Sequence, residues 1–301
     1  MNQTTNGDVV KSSSSYETDA AFEARLRKRI SRLILFSTAA LVALIFSFPM
    51  YFMVVSAFKG ESEILSTPFH WLPEEFVGLS HFEQAFEIAP IAQWYFNSVL
   101  VAGIQVGVSI FFGAMAGYGF AKFTFRGKRI AFVLILSIMA VPFQILLIPL
   151  FVLVRQFGWQ DSYAGLIVPG MLSAFGVFMM RQFAYNIPDE LLDAARIDGA
   201  SEFRIFLRIA LPLLAPASAS LAIILFLFSW NNFLWPLVIV QDRSLLTLPV
   251  GMTIFSQPYR GDPIVGPAMA VSMLATLPVA LLFIFFQRYF IDGMMVSGIK
   301  G

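Results

Sequence analysis

The residues of this chain that could do chemistry are mostly uncharged polar side chains within long apolar runs. Amides and hydroxyls there can hydrogen-bond an uncharged polar solute such as a polyol or sugar, and an indole can stack on its apolar face. The same groups can instead bond neighbouring helices, and tryptophan often anchors a membrane interface. The candidates for lining a solute path are Gln105, Gln144, Ser173, Trp230, Asn231, Asn232, Trp235 and Ser272.

Groups that break covalent bonds or hold metals are scarce in this sequence. It has no cysteine, and its two histidines, His70 and His81, share one polar loop. Disulfides, thiolate chemistry and cysteine-based metal sites are therefore excluded. We interpret both histidines as surface residues, and we predict no catalytic residue, no metal site and no cofactor bound by this chain.

A second set of candidates lies in a polar segment between two apolar runs. Pro188 suits the first position of a helix, and Gly199 suits the left-handed residue that ends one. Ser201 can cap a second helix. The spacing predicts one apolar face on each helix, formed by Pro188, Leu191, Leu192 and Ala195, and by Phe203, Phe206, Leu207, Ala210 and Leu211. This pattern indicates either an ordinary kinked loop or a surface that docks a partner.

These residues must be positioned by membrane helices. The chain is 58% hydrophobic and 13% charged, whereas soluble domains are about 25% charged. A span needs about 20 apolar residues. Six segments qualify, at roughly 33–58, 97–121, 130–154, 164–180, 213–240 and 266–287. We therefore predict an all-α membrane protein with six transmembrane helices.

Prolines and glycines add detail to these spans. Pro142 and Pro149 predict a kinked third span. The pairs Gly103 with Gly107 and Gly113 with Gly117 predict close helix packing in the second.

The distribution of basic residues sets the orientation. Most of the lysines and arginines fall on the side of the N-terminus, which the positive-inside rule places in the cytoplasm together with the C-terminus. The predicted parts are a disordered, basic cytoplasmic segment (1–32, with 1–20 the most polar), a transmembrane domain (33–290) and a cytoplasmic tail (291–301). Residues 59–96 then form an acidic external loop.

The polar segment resembles the EAA loop of permease subunits of binding-protein-dependent ABC importers. That pattern has Glu-Ala-Ala, a glycine four residues later and Ile-x-Leu-Pro beyond it. Asp193 stands where the family has glutamate, which shortens the reach of the carboxylate. The residues that carry the resemblance, with the neighbouring Arg196, are Asp193, Ala194, Ala195, Gly199, Ile209, Leu211 and Pro212.

Further stretches resemble the carbohydrate-type subgroup, and in particular the smaller permease of the maltose importer. They are Phe123-Thr124-Phe125-Arg126-Gly127-Lys128, Trp230-Asn231-Asn232-Phe233-Leu234, and the end from Gln287 to Gly301. The resemblance implies a type I importer permease fold in a bacterial or archaeal cytoplasmic membrane. It implies coupling helices at about 188–211 and a tail, Ser297, Gly298, Ile299, Lys300 and Gly301, that reaches the ATPase interface.

The resemblance also implies partners: a second permease, two ATPase subunits and an external solute-binding protein. No nucleic acid is expected. The chain lacks the phosphate-binding loop pattern, since Gly127-Lys128 is preceded by Lys122 where the first glycine would stand. ATP and Mg²⁺ would therefore be bound by the partner ATPase, and this subunit would not itself be an enzyme.

A stand-alone secondary transporter is the alternative interpretation. Such proteins place ionisable residues inside the membrane, and the six predicted spans contain none. The expected cargo is a disaccharide, oligosaccharide or polyol. Glycerol phosphate is also possible, although it would favour cationic groups along the path.

Overall fold

The computed structural model describes residues 7–68, 70–259 and 261–298. The chain divides into two units, Met1–Val55 and Ser56–Gly301. Helix α1, Gly7–Ser56, occupies the described part of the first. It extends back through most of the segment for which the composition predicts disorder. Adding residues to an existing helix needs no new nucleus, so a membrane helix can continue into polar sequence.

Apart from two isolated β-bridges, regular structure in the described residues is helical. The first part of the second unit contains α2 (Glu61–Ile64), α3 (Ser80–Ile88), α4 (Ile91–Lys122), α5 (Lys128–Met139), α6 (Phe143–Gln156), α7 (Tyr163–Ile167, continued by the 3-10 turn Val168–Gly170) and α8 (Ala174–Ala184).

The later helices are α9 (Asp189–Ile197), α10 (Glu202–Ile205), a π-helical turn (Phe206–Ala210), α11 (Leu211–Leu213), α12 (Ala215–Trp230), α13 (Leu234–Ile239), α14 (Leu248–Gly251) and α15 (Val265–Gly298). Two further 3-10 turns cover Arg243–Leu245 and Met252–Ser256.

Three described helices are long and apolar enough to cross a membrane unaided: Leu26–Ser56, Ile91–Lys122 and Val265–Phe286. Three bent pairs qualify if each is one span. They are Lys128–Met139 with Phe143–Gln156 (99°), Tyr163–Gly170 with Ala174–Ala184 (43°), and Glu202–Leu213 with Ala215–Trp230 (73°). These positions correspond to the six predicted segments. The count of six and the cytoplasmic placement of both termini stay predictions.

The bends correct several details of the predicted spans. Pro142 lies at the break between α5 and α6, as predicted, but Pro149 lies inside the continuous helix α6. The predicted span 213–240 is wrong at its end, because α12 stops at Trp230. There the Asn231 amide donates to the Leu227 carbonyl (2.9 Å), and a side chain that bonds the preceding turn competes with helix continuation.

The packing of α4 against α8 holds the first of three buried apolar clusters. A Cβ at Gly117 would lie 2.6 Å from the Arg181 backbone nitrogen, and one at Gly113 would lie 3.3 Å from the Gly176 carbonyl carbon. Gly113 and Gly117 therefore allow this close approach, as predicted. The same prediction is wrong for Gly103 and Gly107, where an added Cβ would meet nothing within 4 Å.

The loop before α4 corrects the interpretation of one histidine. His81 is buried, and its Nε2 lies 2.6 Å from the Lys59 carbonyl oxygen. Its ring packs so closely against Gly266 that a Cβ there would lie 2.3 Å from it. The Glu61 carboxylate accepts hydrogen bonds from the backbone N–H groups of Val265 and Gly266 at the start of α15 (2.5 and 2.9 Å). The segment between α1 and α4 is thus held against the start of α15 by hydrogen bonds and by packing.

Candidate functional site

The polar segment predicted to dock a partner is two helices joined by a tight turn, and we call residues 188–214 the coupling segment. Gly199 has φ +78°, a left-handed conformation that glycine adopts without strain. The Gly199 N–H donates to the Arg196 carbonyl and the Ala200 N–H to the Ala195 carbonyl, both at 3.0 Å. This pair of bonds is the Schellman motif, and it confirms Gly199 as the residue that ends α9.

The start of α9 is tied to the end of the long helix α4. The Lys122 ammonium donates to the Ile187 carbonyl (2.5 Å) and to the Asp189 carboxylate (2.8 Å). Pro188 lies one residue before the helix, in an extended conformation, rather than at its first position. Ser201 does lie directly before α10, but its hydroxyl makes no capping hydrogen bond.

An ion-pair triad holds the two helices of the coupling segment together. Arg196 lies 2.7 Å from the Asp193 carboxylate and 2.7 Å from that of Glu202. The hydrogen bonds that Arg196 donates to Glu202 and to Asp193, the first having the larger effect, raise the pKa of Arg196 above its already high ordinary value, so the guanidinium stays charged. Asp193 therefore reaches its partner despite being shorter than glutamate, and Arg196 bridges α9 to α10.

The inner face of the coupling segment packs onto the membrane helices. Leu192, Ile205, Phe206 and Ala210 are buried in the cluster that contains Tyr118 of α4 and Met180 of α8. The two helices of the segment therefore share one apolar core with α4, α8 and α12. This core includes Leu221 of α12.

The predicted apolar faces are only partly correct. In α9, Leu192 is buried and Ala195 half-buried, but Pro188 and Leu191 are exposed. In the second helix, Phe203 and Leu207 are exposed whereas Ile205 is buried. The π-helical turn Phe206–Ala210 widens the helix and breaks the 3.6-residue period on which the prediction rested. Of the remaining predicted residues, Ile209 and Leu211 are half-buried, and Ala194 and Pro212 are exposed.

The outer face of the segment carries large apolar side chains. Ile197 is 87% exposed, Phe203 58% and Leu191 47%. They flank the Arg196 ion pairs on the same short stretch of chain. An exposed apolar surface with fixed charges beside it is typical of a protein interface.

A cavity of about 1000 Å³ lies where α4, the α5–α6 break, the α7–α8 break and the end of α12 meet. Five predicted path residues line it: Gln105, Gln144, Ser173, Asn231 and Asn232. Trp230 does not line this cavity, because its indole donates to the Ala275 carbonyl (3.1 Å) and stacks on Phe226. Trp235 is buried and donates to the Gly165 carbonyl, and the Ser272 hydroxyl donates to the Ala268 carbonyl. Each of these three bonds a neighbouring backbone carbonyl instead of facing the cavity.

The five lining residues differ in what they can offer a solute. The Gln105 amide donates to the carbonyls of Leu166 and Ile167 (3.1 and 3.2 Å), and its oxygen accepts from the Ser229 hydroxyl (2.7 Å). Gln105 is therefore committed to holding the broken helix. Asn231 donates to Leu227, and Ser173 accepts from the Gly176 N–H. Within the described part of the chain, the amides of Gln144 and Asn232 have no hydrogen-bond partner.

Sequence reasoning missed the aromatic part of the cavity wall, formed by Phe143, Phe175, Phe228 and Phe233. The helix breaks next to Phe143 and Phe175 could have been found from Pro142, and from Pro169-Gly170 followed by the capping residue Ser173. No ionisable side chain is among the described residues that line the cavity. The arrangement can hydrogen-bond and stack, but it offers no fixed charge.

Two other predictions concern metal binding and the C-terminal tail. Among the described residues, no group of three or more His, Cys, Asp or Glu side chains could hold a metal. In the predicted interface tail, Ser297 and Gly298 continue the backbone of α15, and Ile299, Lys300 and Gly301 lie outside the described residues.

Residues 109–296 match the family described as the inner membrane component of binding-protein-dependent transport systems. The arabinooligosaccharides transport system permease protein of Bacillus subtilis (strain 168) is 38% identical over 87% of this chain and 93% of its own length. The lactose transport system permease protein of Rhizobium radiobacter is 32% identical over 90% of this chain and 98% of its own length.

The fold also matches a solved structure. A chain of a bacterial ABC transporter involved in the import of the acidic polysaccharide alginate superposes with a TM-score of 0.80 at 20% identity, covering 87% of this chain and 97% of that one. At this identity the match concerns the fold alone.

Proposed function

This chain belongs to the family of binding-protein-dependent transport system inner membrane components, and from that premise we propose that it conducts an uncharged sugar across the membrane. It is an inner-membrane permease subunit of an ABC importer, with the fold of a type I importer permease. The observation that carries the choice of cargo is the cavity, whose wall combines neutral hydrogen-bonding groups with phenylalanine rings.

The cavity suits the two surfaces of a sugar. Hydroxyl groups need neutral donors and acceptors, and Asn232 and Gln144 supply amides that the protein leaves uncommitted. The apolar ring face of a sugar needs a flat apolar partner, which Phe228 and Phe233 supply at the end of α12. A disaccharide, oligosaccharide or polyol fits this wall. Glycerol phosphate would instead want cations, which the described lining lacks.

The coupling segment is proposed to dock a cytosolic ATPase. Its outer face offers Leu191, Ile197 and Phe203 for burial, and the Arg196 ion pairs fix the orientation of the surface. Its inner face shares a core with α4, α8 and α12. Movement of the ATPase would therefore tilt these helices as one body and open the cavity to alternate sides.

Membership of this family implies an ATPase and a solute-binding protein as partners. The full assembly is proposed to contain this chain, a second and homologous permease, two ATPase copies that bind ATP and Mg²⁺, and one external binding protein. Residues 297–301 are proposed to reach the ATPase interface. Removing them should lower the coupled ATPase rate while leaving assembly intact.

The test is affinity purification of the tagged chain from its native membrane in mild detergent, followed by mass spectrometry. We expect a nucleotide-binding ATPase and a second permease in the eluate. Proteoliposomes of this assembly with its binding protein should then take up arabino-oligosaccharides or lactose only with ATP. Recovery of this chain alone, with uptake that needs no ATP, would favour the secondary-transporter alternative.

A further inference from the structure

A second cavity, distinct from the solute cavity, lies beside the loop between α4 and α5. Its volume is about 770 Å³, and it is open on one side. Three of the residues around it are cations, and the others are apolar or glycine. The lining residues are Phe125, Gly127, Lys128, Arg129, Ile130, Phe132, Val133 and Arg181. We call it the basic pocket.

The cations of the basic pocket have no counter-charge among the residues that the structure describes. No carboxylate is among the described residues that line the pocket, and none of Lys128, Arg129 and Arg181 makes an ion pair within the described ranges. Like charges gathered without a counter-ion repel one another, and part of that repulsion is relieved when an anion binds between them. The pocket is therefore built to accept a negative charge from outside the chain.

The protein holds two of these cations in place. Arg181 lies over the Phe132 ring at 3.8 Å and over the Tyr185 ring at 4.9 Å, and its Nε donates to the Phe120 carbonyl (3.3 Å). Lys128 donates to the Phe123 carbonyl at 2.7 Å. Arg129 makes no hydrogen bond with the described residues and is exposed. Two cations are thus fixed, and the third is free to close over a ligand.

The start of α5 adds neutral donors to the same pocket. Its capping residue is Gly127, which has φ +81° and no side chain to accept from the first turn, and that turn contains no acidic residue. Backbone N–H groups at a helix start point outward and attract anions. An anion held between the cations would receive these donors as well.

The apolar half of the wall identifies the kind of anion. Ile130, at the pocket, is 69% exposed, and the exposed face of α5 continues through Leu134 and Ile138, 62% and 60% exposed. These residues are spaced by four and form one row along the helix. The pocket lies where one candidate span ends at Lys122 and the next begins at Lys128. Charge at the end of a span with an apolar row below it matches a phosphate headgroup with an acyl chain.

We infer that the basic pocket binds the headgroup phosphate of an anionic phospholipid, with one acyl chain along the Ile130–Leu134–Ile138 row of α5. This site goes beyond the transport function, and it would be present whatever the cargo is. Inorganic phosphate shares the headgroup chemistry, but it would gain nothing from the apolar row.

The test is native mass spectrometry of the whole assembly, purified with the full chain and delipidated in neutral detergent. The assembly is then titrated with phosphatidylglycerol, with phosphatidylcholine or with inorganic phosphate. Arg129→Gln removes a pocket cation that bonds nothing else in the described chain, and Arg126→Gln removes its neighbour outside the pocket. We expect Arg129→Gln to weaken phosphatidylglycerol binding about fivefold and Arg126→Gln to change it by less than about twofold.

Several outcomes would overturn the inference. If phosphatidylcholine bound as tightly as phosphatidylglycerol, the pocket would not recognise the headgroup charge. If inorganic phosphate bound as tightly as phosphatidylglycerol, the acyl chain would contribute nothing to binding. Equal weakening by Arg126→Gln and Arg129→Gln would indicate general surface attraction rather than a pocket. Since Arg129→Gln touches neither the solute cavity nor the coupling segment, assembly and ATP-driven uptake in a neutral lipid serve as the folding control.

Discussion

The coupling segment and the cavity lined by Gln105, Gln144 and Asn232 are built in opposite ways. In the coupling segment the decisive partners are neighbours in sequence, since Arg196 bridges Asp193 and Glu202, three residues before it and six after it. In the cavity they are far apart, since Gln105 bonds Leu166 and Ser229, 61 and 124 residues away. A local motif can therefore be recognised from spacing, whereas a cavity depends on how distant helices break and meet.

The two regions also differ in what their polar groups do. The ion pairs of the coupling segment lie at an exposed surface, where each contributes little to stability and fixes geometry instead. The amide of Gln105 is buried, where an unmade hydrogen bond is costly. Substitutions in the first region should thus affect coupling, and substitutions in the second should divide between stability and solute binding.

The largest effect is expected from Gly199→Pro. Proline fixes φ near −65°, whereas Gly199 has φ +78°, and proline also removes the N–H that donates to Arg196. The strain of about 3 kcal/mol or more should unwind the turn and lower ATP-driven uptake by about 100-fold, with membrane insertion intact. The matched control is Gly199→Asn, because asparagine tolerates this conformation. Normal uptake by the proline variant would contradict the coupling role.

Next in size is Gln105→Leu, which tests the claim that one cavity amide is structural. It leaves two carbonyls and the Ser229 hydroxyl without their partner, which should lower the free energy of unfolding by about 2 kcal/mol. Thermal unfolding of the detergent-solubilised assembly measures this loss. Gln144→Leu in the same cavity should leave the unfolding midpoint unchanged. If both variants lose the same stability, the distinction between the two amides is wrong.

A smaller effect is expected from Asn232→Ala, which tests the claim that uncommitted amides serve the solute. Loss of one neutral hydrogen bond, about 1 kcal/mol, should lower kcat/KM for sugar uptake about fivefold while the unfolding midpoint stays the same. Ser272→Ala is the control, because that hydroxyl bonds Ala268 and does not line the cavity. The measurement is the kinetics of sugar uptake in proteoliposomes. Unchanged kinetics in Asn232→Ala would show that Asn232 does not contact the solute.

The smallest effect is expected from Asp193→Ala. Arg196 keeps Glu202 as a partner, so the exposed triad should lose less than about 1 kcal/mol and coupled ATPase activity should fall by about twofold at most. Asp193→Glu should behave as the natural chain does. A loss as large as that of Gly199→Pro would show that the Asp193 carboxylate contacts the ATPase directly and does more than orient Arg196.

The sequence by itself determined much about this protein. Apolar length located the candidate membrane segments of the described residues, since a bilayer demands about 20 apolar residues wherever the chain crosses it. The spacing from Asp193 to Pro212 located the coupling segment, and Gly199 was identified as the end of α9 because its conformation is local. These features depend on residues close in sequence, so periodicity and turn chemistry were sufficient.

Only the tertiary structure decided which side chains line this cavity. Trp230 and Asn231 are adjacent in sequence, yet one is buried against Phe226 and the other lines the cavity. Around the π-helical turn at Phe206–Ala210, Ile205 is buried instead of the predicted Leu207, and the helix breaks near Pro142 and Gly170 bring Phe143 and Phe175 to the cavity wall. Small changes in helix phase and direction determine where each side chain points, and they are set by packing between segments that are distant in sequence.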